Sequence, residues 1–144
     1  MATIELLTIA NHAEVQNGLL YLIGAEWDTV TRTYQAGSDP QPQHLAIAIT
    51  VVVPWIEANQ RHRVELWIED EDAQVRLMEA SFDIELGRPP GKTHGSDSRS
   101  PLAMSGIVQF PGSGGYRVRA RIGDYHKTYA FRVNDQIVQA TQAS

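Results

Sequence analysis

The sequence lacks cysteine, a basic surplus and any long apolar run, and each absence excludes a class of protein. Without cysteine there are no disulfides, thiolate nucleophiles or cysteine-based zinc sites. The net charge of −5 argues against general nucleic-acid binding, because such proteins need positive charge to displace counterions from phosphate. The longest apolar run, residues 45–53, is about half as long as a membrane-spanning helix requires. We therefore expect no membrane association and no nucleic-acid partner.

The N-terminal residues and the overall composition indicate an ordinary intracellular globular protein. No basic residue precedes the short apolar stretch in residues 1–13, and Glu5 interrupts that stretch, so it does not resemble a secretory signal. Apolar residues make up 42% of the chain and charged residues 20%, which is typical of folded rather than disordered proteins. We expect a cytoplasmic protein with one domain at residues 1–135 and a flexible tail at residues 136–144.

Alternation of apolar and polar residues dominates the sequence and predicts half-buried β-strands. The clearest cases are the segments 62–69, 116–122 and 129–133. Between the last two of these, Gly123 and Asp124 predict the turn of a hairpin. Residues 45–53 are apolar on both faces and rich in Ile and Val, which favours a central strand that ends before Pro54.

The remaining strands complete a predicted all-β fold. They are expected at residues 4–10, 19–27, 75–86 and 102–110. Asn17 and Gly18 predict a turn after the first of them. The alternation changes phase within the third, so we expect a β-bulge near Met78 or Glu79. Short strands separated by Gly, Pro and Asp turns predict a single antiparallel β-sandwich, immunoglobulin-like or similar, with seven or eight strands.

A set of arginines on one face of the predicted hairpin is the most specific electrostatic feature. These residues are Arg117, Arg119, Arg121 and Arg132. Because guanidinium groups bind carboxylate and phosphate through two hydrogen bonds, this face is a candidate site for a small anionic ligand or an acidic partner. The alternative is a solvated face whose arginines pair with carboxylates such as Glu65 or Glu69 on other strands.

Trp67 stands on the polar face of its predicted strand. If exposed, such an aromatic side chain is a candidate anchor for a protein partner or for a second copy of the chain. Tryptophan is usually mostly buried, so coverage by a neighbouring loop is the other interpretation.

The long connection at residues 87–101 is a second candidate site, because long loops in compact domains are often functional. Its charged residues of interest are Arg88, Asp97 and Arg99. Residues 87–93 are similar to a phosphate-binding loop, but three residues separate the glycines where the motif needs four. Pro89 and Pro90 also have no N–H to donate to phosphate. We therefore expect no nucleotide site of that type.

No catalytic or metal-binding motif is recognisable. The five histidines are scattered, and none is spaced from another as two ligands of one metal would be. The acidic run at residues 69–72 is interpreted as a solvated turn, with a calcium site as the alternative. His94 with the segment 96–98 (SDS) is the only cluster of base and nucleophile types, and it has no nucleophile-elbow motif. We expect a protein that is not an enzyme and that carries neither metal nor cofactor.

Several segments together resemble an uncharacterised bacterial family catalogued as a domain of unknown function. They are residues 10–21 (ANHAEVQNGLLY), 53–55 (VPW), 57–59 (EAN), 87–91 (GRPPG) and 95–99 (GSDSR). The resemblance covers nearly the whole chain and implies a small, all-β, intracellular bacterial protein. It brings no activity, cofactor or catalytic residue. Two of the segments, 11–17 and 87–99, are loops by the pattern of their residues, which makes both candidates for binding.

The functional hypothesis from sequence is a non-enzymatic binding or assembly module. Such a module would engage a protein partner or itself through a sheet face, a sheet edge or the connection at residues 87–101. A domain that binds a small ligand or carbohydrate is the alternative, and a hydrolase built on His94 and Asp97 is the third hypothesis.

Overall fold

The computed structural model describes residues 1–139, which form β-strands joined by turns and loops. The one helical segment within those residues is a 3-10 turn at Trp55–Glu57. The strands in chain order are β1 (Thr3–Gln16), β2 (Leu19–Ala25), β3 (Thr29–Gln35), β4 (Gln43–Val53), β5 (Arg61–Asp70), β6 (Arg76–Glu85), β7 (Ser98–Val108), β8 (Gly114–Ile122) and β9 (Tyr125–Val138). The prediction of an all-β protein is confirmed, with nine strands in place of seven or eight. No helix in the described part of the chain is both long enough and apolar enough to span a membrane.

The strands form two sheets, one in the order β2-β1-β4-β7 and the other in the order β3-β9-β8-β5-β6. Every pair in the first sheet is antiparallel. The second sheet curls into a half-barrel, and within it β3 runs parallel to β9. The prediction of an entirely antiparallel fold is therefore wrong for this pair. The sequence pattern also missed β3, because Arg32 and Tyr34 occupy inward positions beside Val30 and weaken the apolar alternation.

Two predictions are confirmed, one of a turn and one of the central place of a strand in its sheet. Asn17 and Gly18 form the two-residue turn between β1 and β2, with φ angles of 52° and 75°. Two successive positive φ angles are what a type I′ hairpin turn requires, and Asn-Gly is the pair that adopts it most readily. Residues 45–53 lie in β4, which has β1 on one side and β7 on the other. Its central position explains why both faces of this strand are apolar.

The predicted bulge lies in β6, one residue earlier than expected. Ile68 of β5 pairs with Met78, whereas the next residue, Glu69, pairs with Arg76. Leu77 is therefore the extra residue. The insertion explains the change of phase in the sequence, since one added residue moves every following side chain to the other face of the sheet.

Two segments interpreted as loops are partly strand. The segment 11–17 continues β1 as far as Gln16, where it pairs with β2. The predicted loop at residues 87–101 ends sooner, because β7 begins at Ser98 beside β4. Both extensions contain polar residues at exposed positions, so hydrophobic alternation alone does not reveal them.

The C-terminal boundary also differs from the expectation. β9 continues to Val138, so residues 136–138 of the expected flexible tail are paired with β3. Residues 140–144 of that tail lie outside the described residues.

Inward-facing side chains of both sheets form one hydrophobic core. β4 contributes Ile47 and Ile49, β5 contributes Val64, and β8 contributes Val118, all of them fully buried. Phe110, in the β7–β8 connection, packs edge-on against Tyr116 and Phe131. Burial of apolar area on this scale is the main source of stability for a domain of this size.

A second, smaller apolar layer lies on the other face of the first sheet. It consists of Ala13, Leu20, Leu22, Ala46, Ala48 and Ala103. In this layer the hairpin formed by β1 and β2 packs against β4 and β7. The short alanine side chains allow close approach of the hairpin.

One buried ion pair joins β3 to β9. Arg32 donates from Nε and Nη2 to the two carboxylate oxygens of Asp135, at 2.8 and 3.0 Å. Its Nη1 donates to the Phe110 carbonyl at 2.7 Å, and the Tyr34 hydroxyl donates to Asp135. The Arg32 side chain is 5% exposed and that of Asp135 16%. The pair therefore ties the parallel edge strand both to its neighbour and to the β7–β8 connection.

Candidate functional site

The predicted arginine face is the outer face of the five-stranded sheet. Seven of the 12 lysines and arginines of the chain lie on it: Arg61, Arg63, Arg76, Arg117, Arg119, Arg121 and Arg132. A chain with a net charge of −5 thus gathers most of its positive charge on one surface. Between β8 and β5 the directly paired residues are Arg117 with Glu69, Arg119 with Trp67 and Arg121 with Glu65.

Carboxylates of the same face bind these arginines. Glu69 is 3% exposed and accepts hydrogen bonds from Arg117 Nη2 at 3.0 Å and from Trp67 Nε1 at 2.6 Å. Arg119 Nη1 lies 3.8 Å from the same carboxylate. Arg121 Nη2 donates to Glu65. Arg117, Arg119 and Arg121 therefore lie against the two carboxylates that the alternative interpretation named, in an internally paired arrangement.

Trp67 is covered by its neighbours and is 7% exposed. The guanidinium carbon of Arg76 lies 4.4 Å from the centre of the ring, and that of Arg119 lies 5.8 Å away. Its indole N–H is held by Glu69. An anchor for a partner requires an accessible ring, so the structure places Trp67 in the interior of the charged layer and not on its surface.

Arg132 is separate from this network. Its backbone is paired with Gly115, and its exposed side chain forms no ion pair with the described residues. The Nε atoms of Arg117 and Arg119 are buried and have no hydrogen-bond partner in residues 1–139. Arg119, which shares Glu69 with two other donors, is the least fully paired arginine inside the network.

The environment of Glu69 stabilises its charged form. Burial alone acts to raise the pKa of this carboxyl, but the hydrogen bonds from Trp67 and Arg117 and the nearby positive charges outweigh it. The pKa of Glu69 is therefore lower than its ordinary value of 4.5. The Arg32 guanidinium lowers the pKa of Asp135 in the same way, chiefly through its hydrogen bonds.

The two lowered pKa values predict loss of stability in acid. Because the unfolded chain binds protons at these carboxyls more readily than the folded chain does, their contribution is fully present above the ordinary pKa values of 4.5 and 3.8. It is lost as the pH falls through the lower pKa values of the folded state. Urea unfolding at a series of pH values below 5 should show this decline. In the Glu69→Gln variant the decline should be shallower, and an equal slope in both proteins would contradict the assignment.

The connection between β6 and β7 holds Arg88 in a fixed position. Its Nη2 donates to the Trp55 carbonyl at 2.6 Å, and its guanidinium carbon lies 4.4 Å from the centre of the Trp55 ring. The His94 ring contacts the same indole edge-on, at 4.9 Å between centroids. The connection is thereby folded against the 3-10 turn that follows β4.

Arg99 and Asp97 lie at the other end of this connection. Arg99 donates from Nε and Nη2 to the two carboxylate oxygens of Glu5, at 2.7 and 2.9 Å. The hydrogen bonds that Arg99 donates to Glu5, and the charge of Glu5, raise the pKa of Arg99, and the nearby Asp97 adds to this effect. Arg88 and Arg99 both line one pocket, whereas Asp97 does not.

The residue types suggestive of hydrolysis are engaged elsewhere. The Ser96 hydroxyl donates to the Thr93 carbonyl at 2.6 Å, and the His94 ring packs on Trp55. No hydrogen bond joins His94 to a serine among the described residues.

The acidic run at residues 69–72 is used in local structure. Glu69 binds the arginines, and Asp70 Oδ1 accepts hydrogen bonds from the backbone N–H groups of Gln74 and Val75, which closes the β5–β6 turn. Within residues 1–139 no group of three or more His, Asp or Glu side chains is placed to hold a metal ion.

One surface was missed by sequence reasoning, namely the free edge of β2. This strand pairs with β1 on one side and has no partner on the other. Leu19, Tyr21 and Ile23 alternate along its outer face and are 60%, 46% and 64% exposed. Leu20 and Leu22 face the opposite way, into the alanine layer. The signal in the sequence is a strand that is apolar on both faces and carries no charge.

The other three edge strands carry features that oppose pairing with another chain. Charged residues stand along β6, the outer residues of β3 are threonines and glutamine, and β7 contains Pro101 and Arg99. Of the four edges in residues 1–139, β2 is the one without a charged residue or a proline. Natural proteins ordinarily protect such edges with charge, proline or a bulge.

Comparison with known proteins identifies a family without assigning a function. The sequence model of a family described as "Family of unknown function (DUF6941)" matches residues 5–134. None of the curated proteins matches the chain. A solved structure of Pseudomonas fluorescens alkylpurine DNA glycosylase AlkC, bound to DNA containing an abasic site analog, aligns with a TM-score of 0.41 and 11% identity. The alignment covers 89% of this chain and 30% of that one, and the likeness is too weak to carry an argument.

Proposed function

The chain belongs to the DUF6941 family of unknown function, and we propose that it is a non-enzymatic assembly module that associates with a second copy of itself through the free edge of β2. One observation carries the proposal. β2 is an uncharged edge strand that is paired with β1 on one side only, and it has three exposed apolar side chains on one face. The interpretation as a cytoplasmic bacterial β-sandwich, with the two sheets as its layers, belongs to the same proposal.

The edge of β2 supplies both parts of the interaction energy that strand pairing requires. Its free N–H and C=O groups form a row ready to bond with another strand. Its exposed apolar side chains provide area that is removed from water on contact, at roughly 25 cal/mol per Å². Pairing of this kind buries surface without requiring any deep pocket.

A second copy of β2 is the occupant that best matches this edge. In a two-fold antiparallel pairing centred on Tyr21, Leu19 of each copy lies opposite Ile23 of the other, and Tyr21 lies opposite itself. This register keeps all three exposed side chains of both copies on one face. It places each of them opposite a large apolar or aromatic side chain of the other copy. β2 carries no charge, so self-pairing places no like charges opposite each other, despite the overall charge of −5.

A single introduced cysteine tests the register directly, because the chain has none of its own. Directly opposite residues in an antiparallel pair have Cα atoms about 4.5–5.5 Å apart, which lies within the range of a disulfide. Mild oxidation of the Tyr21→Cys variant should therefore give a covalent dimer. The Ile107→Cys variant is the matched control, since Ile107 is also an exposed large side chain, 72% exposed, on the opposite edge strand β7. Equal crosslinking of both variants would contradict the register.

Light scattering coupled to size-exclusion chromatography tests the association itself. We expect a concentration-dependent mass that approaches twice 16.0 kDa. The Tyr21→Lys variant should raise the dimer dissociation constant by roughly 100-fold, because the substitution acts twice in a two-fold interface and each copy loses about 1.4 kcal/mol. Ile107→Lys should leave it unchanged. A wild-type mass of 16.0 kDa at every concentration would overturn the proposal.

A further inference from the structure

We propose that the pocket beneath the β6–β7 connection binds the phosphate group of a small phosphorylated molecule. This pocket has a volume of about 560 Å³, and its polar lining consists of Arg88, Lys92, Ser98 and Arg99. Volumes of about 300–1,000 Å³ are typical of small-molecule sites. The inference concerns a different surface from the β2 edge and does not depend on self-association.

The pocket carries uncompensated positive charge. Its lining includes three cations and no carboxylate. Glu5 neutralises Arg99 from outside the pocket, through two hydrogen bonds. Arg88 and Lys92, by contrast, form no ion pair with any described residue. A phosphate monoester has a charge of about −1.5 to −2 at neutral pH, which matches these two cations.

The Arg88 guanidinium and the backbone around the pocket are held in place before any ligand binds. The Trp55 carbonyl and ring fix the Arg88 guanidinium. The backbone N–H of Lys92 donates to the Pro89 carbonyl at 3.2 Å, in a turn stiffened by two successive prolines. Ser98 is the first residue of β7 and is paired with Val53 of the central strand β4. Preorganisation of this kind lowers the entropic cost of binding.

The recognition differs from that of a phosphate-binding loop. Pro89 and Pro90 provide no N–H groups, so side-chain donors replace the backbone cradle. The guanidinium of Arg88 supplies planar N–H donors besides the one on Nη2 that the Trp55 carbonyl accepts, and Lys92 supplies a point charge. These are the two kinds of group that most often bind phosphate. Arg99 commits Nε and Nη2 to Glu5, which leaves Nη1 for the ligand.

A small ligand fits this site better than a nucleic acid does. The cationic area is confined to one pocket, with Asp97 and Glu5 beside it, whereas a polynucleotide needs a continuous basic track. The overall charge of −5 adds further repulsion for a long polyanion. A single phosphate group entering the pocket meets mainly the local cations, because charges farther away are screened by salt.

Titration with inorganic phosphate, followed by backbone amide NMR of the full chain, tests the proposal. We expect saturable shifts confined to residues 87–99 and their neighbours in β4, with sodium chloride of equal ionic strength as the reference. The Arg88→Gln and Lys92→Gln variants should each weaken binding by about tenfold, as expected when a charge-assisted bond worth roughly 1.4 kcal/mol is lost. The control is Arg132→Gln, which removes one exposed positive charge from β9, outside the pocket, and should leave binding unchanged.

Organic phosphates and an oligonucleotide distinguish the source of the phosphate. A sugar phosphate or a nucleoside monophosphate that binds more tightly than inorganic phosphate would support the site and define the rest of its ligand. Shifts that never saturate, or that sodium chloride reproduces, would overturn the proposal. So would tighter binding of a short single-stranded oligonucleotide than of both small phosphates. The unchanged remainder of each variant spectrum verifies that the fold is intact.

Discussion

The Arg32→Met variant should lose about 3 kcal/mol of its free energy of unfolding, the range expected when one partner of a buried ion pair is removed. Methionine keeps much of the side-chain volume but leaves the Asp135 carboxylate with only the Tyr34 hydroxyl as a donor and the Phe110 carbonyl without its side-chain donor. In a chain of this length the loss corresponds to a melting temperature lower by roughly 6–12 °C. The parallel edge strand β3 is held to β9 by this pair and by the backbone ladder, so the effect should include earlier exchange of the amide hydrogens of β3.

Urea unfolding at neutral pH measures this loss, and three further variants interpret it. Arg76→Met removes an exposed ion pair with Glu79 together with the guanidinium over the Trp67 ring, and should change stability by no more than about 1 kcal/mol. The double variant Arg32→Met with Asp135→Leu should be more stable than Arg32→Met alone, because no charge is then left buried without a partner. The single variant Asp135→Leu completes the comparison, and a double variant that loses the sum of the losses of Arg32→Met and Asp135→Leu would show that packing, and not the ion pair, sets the cost.

For the second large effect, the Trp67→Ala variant should lose about 3 kcal/mol, the lower end of the range for removal of a buried tryptophan. The lower end applies because the space that it leaves adjoins flexible arginine side chains able to move into it. The substitution also removes the donor at 2.6 Å from Glu69, so that a carboxylate 3% exposed is left with fewer partners. Trp67→Phe separates the two causes, since it retains a ring and should cost only about 1 kcal/mol for the lost hydrogen bond.

The same variants distinguish a structural tryptophan from a binding one. If Trp67 were a partner anchor, Trp67→Ala would weaken association at unchanged stability, whereas a structural role predicts lower stability with an unchanged dimer dissociation constant. Ile107→Ala, which truncates a residue 72% exposed, should cost less than about 0.5 kcal/mol and serves as the reference. Stability of Trp67→Ala equal to that of this reference would contradict the buried position.

The paired arginine face and the basic pocket illustrate how similar residues differ in what they can bind. On the sheet, Arg117 and Arg121 already bind carboxylates of the neighbouring strand β5. In the β6–β7 connection, Arg88 and Lys92 bind none of the described carboxylates. An anion that approaches Arg117 or Arg121 must displace a carboxylate that already binds it, whereas one that enters the pocket meets two cations without such a partner. This difference is why the proposal for a small anion concerns the loop and not the arginine strand.

The local alternation of apolar and polar residues was sufficient to predict the strands that show it. The alternation around Val64 and Val118, the apolar run in β4 and the Asn17-Gly18 turn each depend on neighbouring residues only, so the sequence predicts them. Even the bulge at Leu77 is visible as a change of phase. These features involve residues close together in the chain, and steric and solvation preferences over that distance are encoded locally.

The sequence alone determined the all-β class, the central place of β4, the two hairpin turns and the identity of the charged candidates. Tertiary structure decided the rest: that β3 pairs in parallel with a strand about 100 residues away, that Trp67 is covered, and that β2 lies at an open edge. The physical reason is the same in each case. Whether an apolar strand is an edge or a centre, and whether an aromatic ring is exposed, depends on which distant strands come to lie beside it, and alternation along one segment carries no record of its neighbours.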